Sequence, residues 1–291
     1  MDKFTYKTPV TLEELVESLK SANENTYILG GGTDFVIQMR KKRLSQGVII
    51  DMTGIRGLNE INMDEDHIRL GANVTYSQLY NNPFIRAHVA CLAQMAIKVG
   101  SKQIQNMARL PGNIVNASKA GDSIPVLLAL DASAKIINSK GETKQIKVQD
   151  IILGMGKTIL NRDEAIIEIL FPKPTINTRS SFGKIGHGAR NELTIANVSL
   201  AMITEYNQIN NIIEKACLVV GAVAPVAFHA AQAEVFLQSK RPSRLLIPQL
   251  ADILQKQVET VLKGNVSSKH KINDIRGLAF DVFENIFTDV I

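Results

Sequence analysis

Tryptophan is absent and aromatic residues make up only 5% of the 291 residues, so the chain has few of the rings on which single strands of nucleic acid stack. The formal charge of +5 invites a polyanion reading, but no Lys/Arg cluster is interleaved with aromatics, and no nucleic-acid partner is expected. The two cysteines, Cys91 and Cys217, are far apart and form no Cys-x-x-Cys pair. On that spacing no iron–sulfur cluster or structural zinc site built by this chain alone is expected, and no metal ligands are expected. His67, His88, His187, His229 and His270 are equally scattered. No apolar run approaches the roughly 20 residues of a membrane span, and the N-terminus has no basic-then-apolar signal pattern, so a cytoplasmic protein is expected.

What is present begins with Gly30-Gly31-Gly32-Thr33-Asp34, placed between a strand-like run, Thr26–Leu29, and a helix-like run, Phe35–Met39. Glycine lets backbone amides approach an anion closely, and the following helix N-terminus adds partial positive charge. A second stretch, Arg109-Leu110-Pro111-Gly112-Asn113, continues through Ala120-Gly121-Asp122-Ser123, so two loops are available to hold one pyrophosphate. Arg40-Lys41-Lys42-Arg43 reads either as a solvated helix end or as a docking surface for an acidic partner.

The length suits two domains, and 45% hydrophobic with 21% charged residues is ordinary for a globular protein. Thr11-Leu12-Glu13-Glu14 reads as a capping box, with Val10 and Leu15 as its staple, opening a helix to about Ser21. Strand, glycine loop, helix and a second strand at Gly47–Met52 follow, which predicts an α/β unit with parallel strands. Residues 59–71 and 134–147 each read as a hairpin, with helices at about 75–81, 84–98 and 122–131 and a strand at Ala165–Phe171. Pro172-Lys173-Pro174 reads as a hinge. Beyond it, Ser180–Ile185, Leu193–Glu205 and Ala216–Val223 suggest a small antiparallel sheet, followed by helices at roughly 228–239, 244–263 and 270–289.

The ordered motifs Gly31–Asp34, Ile50-Asp51, Leu70–Thr75, Gln103–Ala108, Gly112–Ser118, Ala120–Pro125, Phe182–Gly186 and Gly221–Pro225 carry a resemblance. The chain resembles the FAD-binding medium subunits of molybdenum hydroxylases, the xanthine dehydrogenase and carbon monoxide dehydrogenase flavoprotein family. The likeness runs nearly end to end. It implies an α+β fold: a two-part, vanillyl-alcohol-oxidase-type (PCMH-type) FAD-binding domain at 1–175, divided at about residue 56, and a C-terminal domain at 176–291 with a three-stranded antiparallel sheet and helices. It implies FAD here, with molybdopterin on a large subunit and iron–sulfur clusters on a small one. Electrons would pass from those clusters through FAD to an acceptor, commonly NAD. Two other readings stay open: a scaffold subunit of such a complex without FAD, and a stand-alone flavin-dependent NAD(P)H reductase.

The resemblance also assigns residues. Gly30, Gly31 and Gly32 would set their amides on the FAD phosphates and Leu29 would also contact the cofactor; Thr33 adds a hydroxyl or caps the helix, and Asp34, which a phosphate would repel, caps amides or binds a ribityl hydroxyl. Gly112, Asn113 and Asn116 would contact the cofactor or hold the loop. Asp122 would cap its helix and accept a hydrogen bond from the sugar-like portion, Ile166 would border the ring or pack in a strand, and Lys184 would tune the flavin. Relatives have Thr/Ser-Ile-Gly-Gly-Asn where this chain has Arg109–Asn113. Either Arg109 replaces the lost contacts, or the site is weakened, or FAD is not bound. Gly188, within His187–Arg190, takes the place of a basic residue in relatives, which bears on the acceptor.

Overall fold

The computed structural model describes residues 3–42, 44–186, 196–263 and 269–291. Strands and helices first alternate: β1 (Lys3–Lys7), α1 (Leu12–Leu19), β2 (Thr26–Leu29), α2 (Phe35–Lys42) and β3 (Gln46–Asp51). A 3-10 turn at Met52–Gly54 leads to β4 (Ile61–Met63) and β5 (His67–Gly71). Then come α3 (Tyr76–Asn81), α4 (Pro83–His88), α5 (Ala90–Lys98), α6 (Lys102–Met107), α7 (Leu110–Asn116) and α8 (Ser123–Ala129). β6 (Ser133–Asn138), β7 (Thr143–Lys147), α9 (Val148–Ile151), β8 (Ile152–Gly154), β9 (Lys157–Thr158) and β10 (Glu164–Pro172) follow. The remainder is β11 (Thr178–Gly186), β12 (Ala196–Asn207), β13 (Ile212–Gly221), β14 (Phe228–His229), α10 (Ala231–Leu237), α11 (Leu246–Leu262) and α12 (Lys269–Phe287).

These elements form two compact units that interleave in sequence: Met1–Gln78, Lys102–Ala117 and Asp131–Lys173 in the first, and Leu79–Ser101, Ser118–Leu130 and Pro174–Ile291 in the second. Besides the two-stranded ribbon β8-β9, the first unit holds two sheets of three or more strands. One is parallel, ordered β1-β3-β2, and the other is antiparallel, ordered β4-β5-β10-β6-β7. Helix α1 starts where Thr11 Oγ1 accepts the Glu14 amide at 3.2 Å, and it buries Leu15 and Leu19, one turn apart. The Glu14 carboxylate reaches back one residue further than a capping box requires, accepting from the Val10 amide at 2.7 Å. Ile50, Met52, Ile55, Ala165 and Ile167 join Leu15 and Leu19 in one core. Strand β1 had no counterpart in the sequence expectations; it adds beside β3 in parallel register, Lys3 opposite Gln46.

The second unit is built on the antiparallel sheet β11-β12-β13-β14. Three strands are long, and the two-residue β14 extends the expected three-stranded sheet by one. The strand expected from Leu193 begins, in the described residues, at Ala196. Leu200, Leu218, Val220, Leu250, Leu254, Leu278, Val282 and Phe283 fill the core between sheet and C-terminal helices. Helices α5 and α8 belong here because their faces find apolar partners on this unit: every residue of α8 is buried. Gln94 on α5 accepts from the Ser181 hydroxyl at 3.0 Å and the Phe182 amide at 2.7 Å.

The single helix expected at 84–98 is two. Val89 leaves helical geometry at φ −129°, ψ 54°, and its amide closes α4 on the Ile85 carbonyl. The break redirects α5, which buries Cys91, Leu92, Met95 and Ala96. None of the described helices is long and apolar enough to cross a membrane.

Candidate functional site

In the first unit the chain leaves β2 at Leu29, turns through Gly30–Asp34 and enters α2. Gly32 sits at φ +70°, a conformation L side chains rarely adopt, so the turn needs a glycine there. At Gly31 the requirement is space: a β-carbon would overlap the Met107 carbonyl oxygen and lie 2.8 Å from Arg109 Nη1. The Arg109 side chain also runs past Gly30, with Cδ 3.5 Å from where a β-carbon would stand. The guanidinium therefore lies along the glycine turn. Leu29 and Thr33 are half-buried beside it and Asp34 is exposed.

The second stretch is a helix start rather than a loop. Arg109 is extended at φ −138°, ψ 152° and bridges Thr75, and α7 begins immediately after it. Pro111 falls in the first turn of α7, where an amide has no intrahelical acceptor and a fixed φ suits the helix. The proline thus withdraws a potential donor but does not disturb the fold. Gly112 is exposed, and a β-carbon there would meet nothing within 4 Å. The Asn113 amide is engaged with the Arg109 carbonyl at 3.3 Å.

Asn116 ties the two stretches together. Its Oδ1 accepts from Gln38 Nε2 at 2.6 Å and its Nδ2 donates to Asp34 Oδ2 at 3.2 Å. Asn116 and Asp34 are therefore braces between α7 and the start of α2. Ile166 is 3% exposed, stands opposite Ile136 next to a bulge in β10, and packs as a core strand residue.

The electrostatics centre on Arg109. Its Nη1 donates to the Met107 carbonyl, whereas its Nε is buried without a hydrogen-bond partner. Burial pulls the guanidinium pKa down, against the opposing field of Asp51. Asp51 is itself occupied, since its Oδ1 accepts from the Thr53 amide at 2.9 Å and hydroxyl at 2.7 Å. A half-buried guanidinium with an orphaned donor beside a glycine turn could hold an oxyanion, because an anion would answer both the charge and the missing acceptor. The donor chemistry fits a phosphate.

In the second unit Asp122 and Lys184 form an ion pair, Nζ to Oδ2 2.7 Å, with side chains 9% and 4% exposed. Asp122 was expected to cap α8, but it lies at φ −63°, ψ −31° and makes no side-chain cap hydrogen bond. Its carboxylate is drawn to Lys184 because an unpaired carboxylate is costly at that depth. Burial raises the Asp122 pKa, while Lys184 and, more weakly, Lys98 oppose the shift. Asp122 Oδ1 is buried with no hydrogen-bond partner. Lys184, expected to tune the flavin, is here the counter-ion of a buried carboxylate. The His187–Arg190 stretch lies outside the described residues.

Sequence reasoning missed Met107 and Gln38. Met107 acts through a carbonyl, which carries no sequence signal, and Gln38 meets Asn116 across 78 positions.

Residues 2–174 match the family model described as FAD binding domain in molybdopterin dehydrogenase, and residues 186–286 match the CO dehydrogenase flavoprotein C-terminal domain. The nicotinate dehydrogenase FAD-subunit of Eubacterium barkeri is 29% identical over 100% of this chain and 97% of its own length. Xanthine dehydrogenase 2 of Arabidopsis thaliana is 27% identical over 87% of this chain, which spans 19% of that relative. Among solved structures, the carbon monoxide dehydrogenase from Hydrogenophaga pseudoflava that lacks the Mo-pyranopterin moiety superposes with a TM-score of 0.85 at 20% identity, covering 98% of each chain. That likeness concerns the fold.

Proposed function

The chain belongs to the molybdopterin dehydrogenase FAD-binding family, and from that premise we propose that it is the FAD-carrying electron-transfer subunit of a cytoplasmic molybdenum hydroxylase complex. In that complex a small subunit holds the iron–sulfur clusters and a large subunit the molybdopterin. FAD, when bound, supplies the step between one-electron centres and a two-electron acceptor, for which NAD is the proposed partner. The protein's work is to bind and orient.

One observation carries the reading: Arg109 lies along Gly30 and Gly31 with its Nε buried and unpartnered. The arginine takes over, on this reading, the phosphate contacts that a second glycine and a small hydroxyl supply in relatives. Leu29, Gly30, Gly31, Gly32, Thr33 and Gly112 shape the backbone around the pyrophosphate, and Asn113, Asn116 and Asp34 hold the two stretches in register. In the second unit, Lys184 fixes the Asp122 carboxylate, whose Oδ1 lacks a donor.

A second reading has a specific observation in its favour: the Arg109 side chain and the Met107 carbonyl already lie against Gly31, as in a scaffold subunit that has given up FAD. The purified chain decides between them. A flavin absorbance spectrum, or saturable uptake of added FAD at one per chain, supports the FAD subunit. A colourless chain that takes up no FAD supports the scaffold. Restoring the relatives' pattern with Arg109→Thr and Pro111→Gly should change FAD affinity little if the arginine compensates; a large rise in occupancy would favour the scaffold.

A further inference from the structure

We propose that Cys217, His229 and Glu234 form a binding site for a zinc-class divalent cation, separate from any flavin function. The sequence offered no metal ligands because these three residues have none of the familiar spacings. The fold of the second unit supplies the proximity instead. In the β13–β14 ladder His229 stands opposite Val219, so Cys217, two residues before Val219, is its diagonal neighbour on the same sheet face. Glu234 comes from the middle of α10, which follows β14 directly. One ligand atom from each residue lies within 4.8 Å of the others.

The distances suit a tetrahedral ion. Zinc–sulfur bonds of about 2.3 Å and zinc–nitrogen or zinc–oxygen bonds of about 2.0 Å place S···N near ~3.5 Å and N···O near ~3.3 Å. Here Cys217 Sγ to His229 Nδ1 is 3.7 Å and His229 Nδ1 to Glu234 Oε1 is 3.1 Å. The same geometry argues against a catalytic relay. A Cys–His–Glu relay uses one ring nitrogen for the thiol and the other for the carboxylate, whereas both groups here face the single nitrogen Nδ1. In the metal-free chain the thiol and the ring N–H can both donate to Glu234, and a cation would take the place of those two protons. A cation shared by all three satisfies them together.

Second-sphere support is present, since the Leu218 amide donates to Glu234 Oε1 at 2.9 Å and orients the carboxylate. The His229 side chain is 40% exposed and that of Glu234 21%, so water can complete the fourth position. The mixed sulfur, nitrogen and oxygen set favours zinc over magnesium or calcium, which prefer all-oxygen shells. Bound there, the ion would clamp the two-residue strand β14 and α10 onto β13.

The test uses the full chain, stripped with a chelator and titrated with Co²⁺ alone, read as a difference spectrum against the same sample. The expected result is one Co²⁺ per chain with a thiolate-to-cobalt charge-transfer band, displaced by Zn²⁺ and abolished in Cys217→Ser and His229→Gln. Unmutated protein gives an independent readout: saturating Zn²⁺ should slow alkylation of Cys217 by about ten-fold or more, because the metal-bound thiolate is withdrawn from attack. No charge-transfer band, a band that persists in Cys217→Ser, or equal alkylation rates with and without Zn²⁺ would overturn the proposal.

Discussion

Replacing Lys184 by Met removes the counter-ion of Asp122 and leaves a carboxylate with 9% exposure in the second unit. Breaking one side of a buried pair ordinarily costs about 3–5 kcal/mol. The structure sets a ceiling on that loss, because the stranded carboxyl can escape by taking a proton. At pH 7, protonating a group whose unfolded pKa is roughly 3.9 costs about 1.36 kcal/mol for each of some three pH units, or ~4 kcal/mol. At pH 5 the same route costs only ~1.5 kcal/mol. The sign follows from linkage. With Lys184 gone, burial is the dominant influence and keeps the folded-state pKa of Asp122 raised, so between the unfolded and folded pKa values the folded state binds more protons and stability falls as pH rises. Urea unfolding of Lys184→Met should therefore show a loss of ~4 kcal/mol at pH 7, shrinking by roughly 2–3 kcal/mol at pH 5. The double variant Lys184→Met with Asp122→Leu should recover most of the pH 7 loss. A loss below ~1 kcal/mol at pH 7, or one equal at the two pH values, would refute the burial argument.

Gly31→Ala forces a β-carbon into the Met107 carbonyl and should destabilise the first unit by about 1–3 kcal/mol in denaturant unfolding, whereas Gly112→Ala enters open space and should be neutral or stabilising by up to ~1 kcal/mol. Asn116→Ala removes the bonds to both Gln38 and Asp34, for an expected loss of about 1–3 kcal/mol, read by the same unfolding assay. Cys91 is buried and its thiol is pushed up to about 11, so mass analysis after brief iodoacetamide treatment near pH 8 should show adduct on Cys217 alone.

The glycine turn was legible because its determinants are local: strand, three glycines and helix follow one another, and Gly32 has the positive φ that such a turn needs. Thr11 as a cap and the hairpin around Gly141 were legible for the same reason. What the sequence could not show was mediated by the backbone or by distance. Pro111 reads as damage to a phosphate loop until it is seen in the first turn of α7. Asp122 reads as a helix cap because it precedes α8, and only the neighbouring strand β11 reveals Lys184 as its partner. The break at Val89 was hidden because a buried valine continues the apolar pattern on both sides of it. The interleaving of the two units was hidden because amphipathic helices such as α5 advertise an apolar face without naming the sheet that covers it.

The central claim is that Arg109 holds the phosphate end of FAD, and it is tested most directly by comparing FAD with riboflavin, which has no phosphate, on the unmodified chain and on Arg109→Met. A hydrogen bond to a charged group contributes about 1.5–3 kcal/mol. Fluorescence titration should then show FAD binding weakened roughly 10- to 150-fold by the substitution, with riboflavin binding unchanged. Equal or tighter FAD binding to Arg109→Met, or no FAD binding to either protein, would contradict it.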